Sequence, residues 1–260
     1  MVDIVSELKL EPLIKKTVLL RPHRSLKELP FTVSKMGGCP NLSGFETWPG
    51  CEVCSTPMNF VIQLYKKDFL DFYWPDDKNL FQIFRCPNYN CSNNFNESYD
   101  LFTKGYFHNT GATENKNFQK PLSELTDLES EVPDCYFKMT TAIDYPHFEL
   151  IPLFEAFNLK YGESEVEELF WSEFQPRSGT KFNGYPSWTQ NPDTPKCSCG
   201  KLKDFIFQLS SEDMEDGQEW PPEPDKWSPH GIMIGDVGNI YFFVCRDCGE
   251  KSLETKWDCG

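Results

Sequence analysis

Short apolar runs with the composition of strands, rich in Phe, Ile, Val and Tyr, occur as two related pairs along the chain. The first pair is Asn59-Phe60-Val61-Ile62-Gln63-Leu64 and Asn79-Leu80-Phe81-Gln82-Ile83-Phe84-Arg85-Cys86. The second is Asp204-Phe205-Ile206-Phe207-Gln208-Leu209 and Asn239-Ile240-Tyr241-Phe242-Phe243-Val244-Cys245. Such residues suit a pleated, half-buried surface, so both pairs predict sheet. Each pair follows a similar opening: Ser34-Lys35-Met36-Gly37-Gly38-Cys39-Pro40 in one copy, Thr180-Lys181-Phe182-Asn183-Gly184-Tyr185-Pro186 in the other. Lys35 matches Lys181, Gly38 matches Gly184 and Pro40 matches Pro186, all 146 residues apart, and Cys51 falls on Cys197 at the same offset. After a one-residue deletion, Cys54 falls on Cys199. Ordered matches at this many positions point to an internal duplication.

Between the copies the pattern changes. Cys135 to Ile143 reads as a strand. Ser164-Glu165-Val166-Glu167 reads as a capping box opening a short amphipathic helix through Leu169, Phe170 and Phe174, ended before Pro176. Residues 211–230 form an acidic, proline-rich excursion with Glu212, Asp213, Glu215, Asp216 and Trp220 to Trp227. Its prolines at 221, 222 and 224 break either regular period, which predicts a loop. The expected organisation is an N-terminal segment (1–33), a first repeat (34–91), an insert with a helix (92–179) and a second repeat (180–260). The expected fold class is α+β and β-rich, with two related antiparallel-sheet subdomains packed as one unit.

Composition narrows the functional classes. With 39% hydrophobic residues and 22 Phe among 260, the chain has material for a core. The net charge of −15 repels phosphate backbones, which argues against nucleic-acid binding. Arg21, His23, Arg24 and Lys27 form the one basic cluster, read as a solvated loop or strand end. The first twenty residues carry Asp3, Glu7, Lys9, Glu11, Lys15 and Lys16, so they lack the apolar stretch of a secretory signal. With no apolar run of membrane-spanning length, the expectation is a cytoplasmic protein.

In a reducing compartment, eleven cysteines suggest metal or free thiols rather than disulfides. Cys51-x2-Cys54 and Cys86-x4-Cys91 supply two pairs in the first repeat. Cys197-x-Cys199 and Cys245-x2-Cys248-Gly249 supply two in the second, the C-x-C turn being tighter than usual. Short turns present two thiolates to one ion, so each repeat is expected to build one tetrahedral zinc site, giving two structural zinc ions. Disulfides and unliganded core cysteines are the competing readings. Paired spacing at matching repeat positions is what neither of them predicts. Cys259 is a candidate substitute ligand in the second site, and Cys39, standing where the second copy has Tyr185, reads as a packing residue. Four protein ligands would leave no open position, so catalysis at the metal is disfavoured.

The Ser34 to Pro40 opening, Trp48-Pro49 and the Phe60 to Leu64 strand resemble the YwqG-like family of uncharacterised bacterial proteins. Gly235-Asp236-Val237-Gly238 before the last apolar strand also looks like that family's pattern. The resemblance implies a β-rich α+β fold and no known activity. It does not imply zinc, which rests on the cysteine spacing. The second copy departs from the opening, with Thr180 for Ser34 and Asn183 for Gly37. The Cys51-x2-Cys54 turn followed by Gln63-Leu64-Tyr65 is similar to the programmed cell death protein 2 family, which implies a protein-binding, chaperone-like role.

No H-E-x-x-H, P-loop or G-x-S-x-G motif occurs, and His23, His108, His147 and His230 are scattered. The expected function is therefore a non-catalytic protein-interaction or chaperone-like module. Its acidic surface would meet a basic or exposed polypeptide, without nucleic acid or membrane. An enzyme whose site leaves no motif is the alternative.

Overall fold

In the computed structural model the apolar runs form strands where their pattern predicts them, but they all enter one sheet. Residues 2–88, 91, 102–110, 116, 120–121, 131–213 and 228–260 are described. The first half of the chain contributes β1 (Lys15–Arg24), β2 (Lys35–Met36), β3 (Asn59–Tyr65), β4 (Leu80–Arg85) and β5 (Thr103–His108). The second contributes β6 (Cys135–Asp144), β7 (Lys181–Asn183), β8 (Asp204–Ser210), β9 (Asn239–Cys245) and β10 (Gly249–Asp258). Every pairing is antiparallel, and the order across the ten strands is β10-β9-β8-β7-β1-β6-β2-β3-β4-β5.

The sequence pattern placed the two strand pairs in separate small sheets; the structure corrects this by joining them through β1 and β6. These pair with each other along all ten residues, from Lys15↔Asp144 to Arg24↔Cys135. β7 docks on Thr17 to Leu19 at one end of this ribbon, and β2 docks on Cys135 at the other. Each half's first strand thus lies beside the other half's second strand. β1 was not legible as a strand partly because of Pro22, which has no N–H to donate. Leu20 N donates to Thr180 O on the β7 side, so residue 22 presents its nitrogen on that same side, beyond where β7 ends. No sheet hydrogen bond is lost there.

The sheet curls until β5 and β10 meet at its two ends. A Cβ on Gly105 of β5 would come within 3.0 Å of Leu253 in β10 and of Phe81. Aromatic side chains from both halves fill the inside: Phe72 packs edge-on against Phe182 at 5.6 Å, and Phe81 against Phe242 at 5.9 Å. Burying each large apolar side chain contributes about 1.5–3 kcal/mol, so this shared cluster couples the halves.

A helical layer covers one region. It comprises α1 (Ile4–Glu7), α2 (Phe154–Tyr161) and α3 (Glu165–Glu173), packed through Leu8, Phe154, Phe157 and Phe170. α3 is the helix expected from the capping box. Ser164 Oγ accepts from Glu167 N at 3.4 Å, and the Glu167 carboxylate reaches back to Glu163 N. Residues 214–227 of the proline-rich excursion, including the Trp220 to Trp227 stretch, lie outside the described residues. Among the described residues no helix is long and apolar enough to cross a membrane.

Candidate metal centres

The eight cysteines singled out by spacing converge as two groups of four. Cys51, Cys54, Cys86 and Cys91 have ligand atoms within 4.8 Å of one another, as do Cys197, Cys199, Cys245 and Cys248. In the first group Cys51 and Cys91 sulfurs are 3.8 Å apart and Cys54 and Cys86 3.6 Å. In the second, Cys197 and Cys248 are 3.6 Å apart and Cys199 and Cys245 3.7 Å. A disulfide needs about 2.05 Å, so neither group is oxidised in this geometry. A tetrahedral ion holding four sulfurs at about 2.3 Å puts them about 3.8 Å apart. The closest sulfur pairs match that edge, so both groups could hold a metal ion.

Similar backbone turns present the sulfurs. Cys51 N donates to Thr56 O at 2.9 Å across a bridge joining Gly50 and Pro57. Cys197 N donates to Lys201 O at 2.8 Å across a bridge joining Lys196 and Leu202. The second turn is one residue shorter and closes with Gly200 at φ +87°. The other pair in each group stands where β4 or β9 ends, so the sulfurs clamp the start of one strand region to the end of its neighbour.

The surroundings differ. Leu42, Met58, Phe60, Phe84 and Phe102 enclose the first group, with Cys51, Cys86 and Cys91 buried. In the second group Cys199 and Cys248 are exposed. Each group contains one sulfur that ionises near neutral pH. Burial opposes ionisation of Cys54, but the Thr56 hydroxyl and amide and the thiols of Cys91 and Cys86 bring it down to about 6. Donation from the Cys199 amide, aided by the neighbouring thiols, brings Cys197 to about 6. Burial pushes Cys91 up to about 12 and raises Cys86 as well.

The remaining cysteines stand apart from both groups. Cys259 follows β10 at the end opposite Cys248 and lies against Gly235 and Gly238, so it does not join the second group. Cys135 is buried, whereas Cys39, expected to pack, is exposed.

Buried polar residues, whose partners sequence reasoning did not identify, hold both halves in like manner. Gln63 Oε1 accepts from Asn41 N at 3.0 Å, and its Nε2 donates to Phe31 O and Val33 O, both at 2.7 Å. Gln208 Oε1 accepts from Ser187 N at 2.9 Å, and its Nε2 donates to Gly179 O at 2.9 Å. Lys35 and Lys181 pair in register with these glutamines across β2–β3 and β7–β8. Both lysines are buried: Lys35 reaches Asp134 and Lys181 reaches Asp144, each at 3.0 Å. The carboxylates flank β6 at opposite ends. A Cβ on Gly38 would come 2.2 Å from Asp134 Oδ1, and one on Gly184 2.1 Å from Asp144 Oδ2, so only glycine fits. Asn183 replaces Gly37 at φ +60°, a left-handed position that asparagine tolerates.

Ser228, His230 and Asp213 also meet, with His230 Nε2 3.2 Å from Asp213 Oδ2. Ser228 Oγ lies 3.1 and 2.9 Å from the two ring nitrogens, against the ring edge, and Ile232 N donates to Nδ1 at 3.0 Å. All three side chains are buried, so the serine is not presented to a substrate. His23 stacks on Tyr136, and burial lowers His108 to about 4 with Lys78 adding to it. The four histidines do not converge.

Fold and site together define a chain with a single curled antiparallel sheet and two four-cysteine centres able to hold metal ions. Residues 34–248 match a domain of unknown function, DUF1963, and the chain belongs to that family. It is also similar to the uncharacterised protein YpfL of Salmonella typhimurium, 33% identical over 89 residues. That stretch is 34% of this chain and 17% of YpfL, so the chain matches only a small part of that relative.

Proposed function

We propose that this chain is an internally duplicated, zinc-stapled, non-catalytic module that binds a polypeptide. The observation that carries the reading is the pair of closed four-sulfur groups at matching places in the two halves. All-thiolate tetrahedral sets favour zinc, and with every position filled by protein the ion has no site for a substrate. Its role is then to tie the ends of a sheet whose strands would otherwise separate. Duplication is supported by the shared register of Lys35 with Gln63 and Lys181 with Gln208, and by bulges at Phe60/Ile62 and Phe205/Phe207.

Binding is supported by β6. Among the described residues its outer edge has a strand partner only at Cys135, and Ile143 O on that side accepts from Arg177 Nε at 3.2 Å, leaving Tyr136 to Ala142 without a strand beside them. Tyr136, Met139 and Ile143 are 44%, 56% and 50% exposed. An open strand edge with apolar side chains is a template for an added strand. The net charge of −15 favours a basic partner, and the resemblance to the programmed cell death protein 2 family agrees with a cytoplasmic protein-binding role.

Elemental analysis of the purified chain should find two zinc ions per molecule. A native pull-down should recover a specific client at low and moderate salt, lost in the Met139→Lys, Ile143→Lys double variant. Metal-free native protein would remove the zinc reading. A client held equally by the double variant, or none at either salt, would remove the binding reading.

A further inference from the structure

Related clefts open beside the two halves at the same place in the fold, where the glycine turn meets the start of β3 or β8. Gly38, Asn59 and Phe60 line the first; Gly184, Asp204 and Phe205 line the second. The first holds about 170 Å³ and is neutralised from within. Lys120 Nζ donates to Asn59 Oδ1 at 2.6 Å and to Glu131 Oε1 at 2.8 Å.

The second holds about 430 Å³ and is basic, lined by Lys15 and Lys16 at the start of β1 and by Arg246 just beyond β9. Lys15 Nζ stands 4.0 Å over the Tyr185 ring, and neither lysine makes an ion pair among the described residues. Arg246 gives its Nε to Asp204 at 3.1 Å, and its guanidinium lies 5.5 Å from the centre of the Tyr73 ring. Lys15 and Lys16, successive residues of β1 with side chains on opposite faces of the strand, border the cleft from its two sides. With Arg246, three cationic residues therefore line it against one carboxylate, on a chain with 40 acidic and 25 basic residues. Asp144, the nearest buried carboxylate, is already held by Lys181. Loss of hydration lowers the Lys15 pKa, against the pull of Asp204 and Asp144, so the ammonium gains from a further anion.

We propose that this cleft binds a dianionic phosphate group, free or as the phosphomonoester of a small metabolite. Its volume lies in the range of small-ligand sites, about 300–1,000 Å³. Two ammonium groups act as point charges that suit phosphate, and a guanidinium adds directed donors. The overall negative field disfavours every anion. A dianion recovers more from the local cations than a monoanion does, so phosphate binds where acetate does not. The site does not depend on the protein-binding reading.

The test is calorimetric titration of the full, metal-loaded chain with inorganic phosphate and, separately, glycerol 3-phosphate, with acetate as control. Saturable binding of at least one phosphate probe, weakening as salt rises, is expected. Preference for the ester over free phosphate assigns a metabolite ligand, and the reverse assigns phosphate itself. The Lys15→Gln, Lys16→Gln double variant should weaken binding by about tenfold or more. Lys16→Gln alone, at an exposed side chain, should give part of that loss with unchanged melting temperature and metal content. Lys120→Gln in the other cleft should bind as the unaltered chain does. Absence of saturable binding by either probe, or equal binding by the lysine variants, would overturn the proposal.

Discussion

The first cysteine group lies under Phe60, Phe84 and Phe102 with Cys54 alone half-buried, whereas the second presents Cys199 and Cys248 to solvent. Their sulfur spacings are nearly the same, 3.6 to 3.8 Å for the closest pairs in both. What separates them is what stands behind the sulfurs. An enclosed group excludes competing ligands, chelators and oxidants; an open one admits them. Two sites with one ligand set can therefore differ in lability, and on the proposed zinc reading the shell decides which would be the lasting staple.

The largest effect expected is from Cys86→Ala. On the proposed zinc reading it removes a buried ligand and should cost on the order of 5 kcal/mol in urea unfolding, a part of the roughly 10–16 kcal/mol that a structural zinc supplies. An equal loss from Cys199→Ala would break the comparison between the two groups.

Next comes the buried ion pair of the second half. Lys181→Met strands Asp144, fully buried, and should cost about 3–5 kcal/mol. Lys35→Met should cost less, because Asp134 keeps 15% of its side chain exposed. Burial lowers the Lys181 pKa to about 8, despite Asp144. The unfolded chain holds that proton to about pH 10.4, so between about pH 8 and 10.4 the unfolded state carries the extra proton. Stability contributed by this group therefore rises with pH across that window. Unfolding curves of Lys181→Met should lack the rise.

Gln63→Leu and Gln208→Leu each strand buried backbone groups and should cost about 2 kcal/mol apiece. Unequal values would show that the halves share a pattern but not its energetics. The smallest expected effect is Cys199→Ala, about 1–2 kcal/mol, because at this exposed position water can take the place of the missing sulfur on the proposed ion, which the other three cysteines retain. A chelator should likewise empty the second group before the first; the reverse order, followed by metal absorbance or mass spectrometry, would sink the role assigned to the shell.

Much of the four-sulfur geometry was legible in the spacing of Cys51, Cys54, Cys86 and Cys91 and of Cys197, Cys199, Cys245 and Cys248. Short turns bring neighbouring thiols together locally, and hydrophobic runs mark the strands between them. Cys259 showed the limit of such reasoning, since its nearness in sequence to Cys248 is undone by a ten-residue strand. The carboxylates that hold Lys35 and Lys181 were not legible either, because Asp134 and Asp144 lie 99 residues after one lysine and 37 before the other.

From the residues alone came the paired strand pattern, the two cysteine quartets, the capped helix and the acidic balance, all carried by short-range spacing and composition. The tertiary structure alone decided that β1 and β6 run side by side, that one sheet takes the place of two, and that Lys15, Lys16 and Arg246 share a cleft. Those features depend on hydrogen bonds and packing between distant segments. A local pattern says that a strand has a partner without saying which.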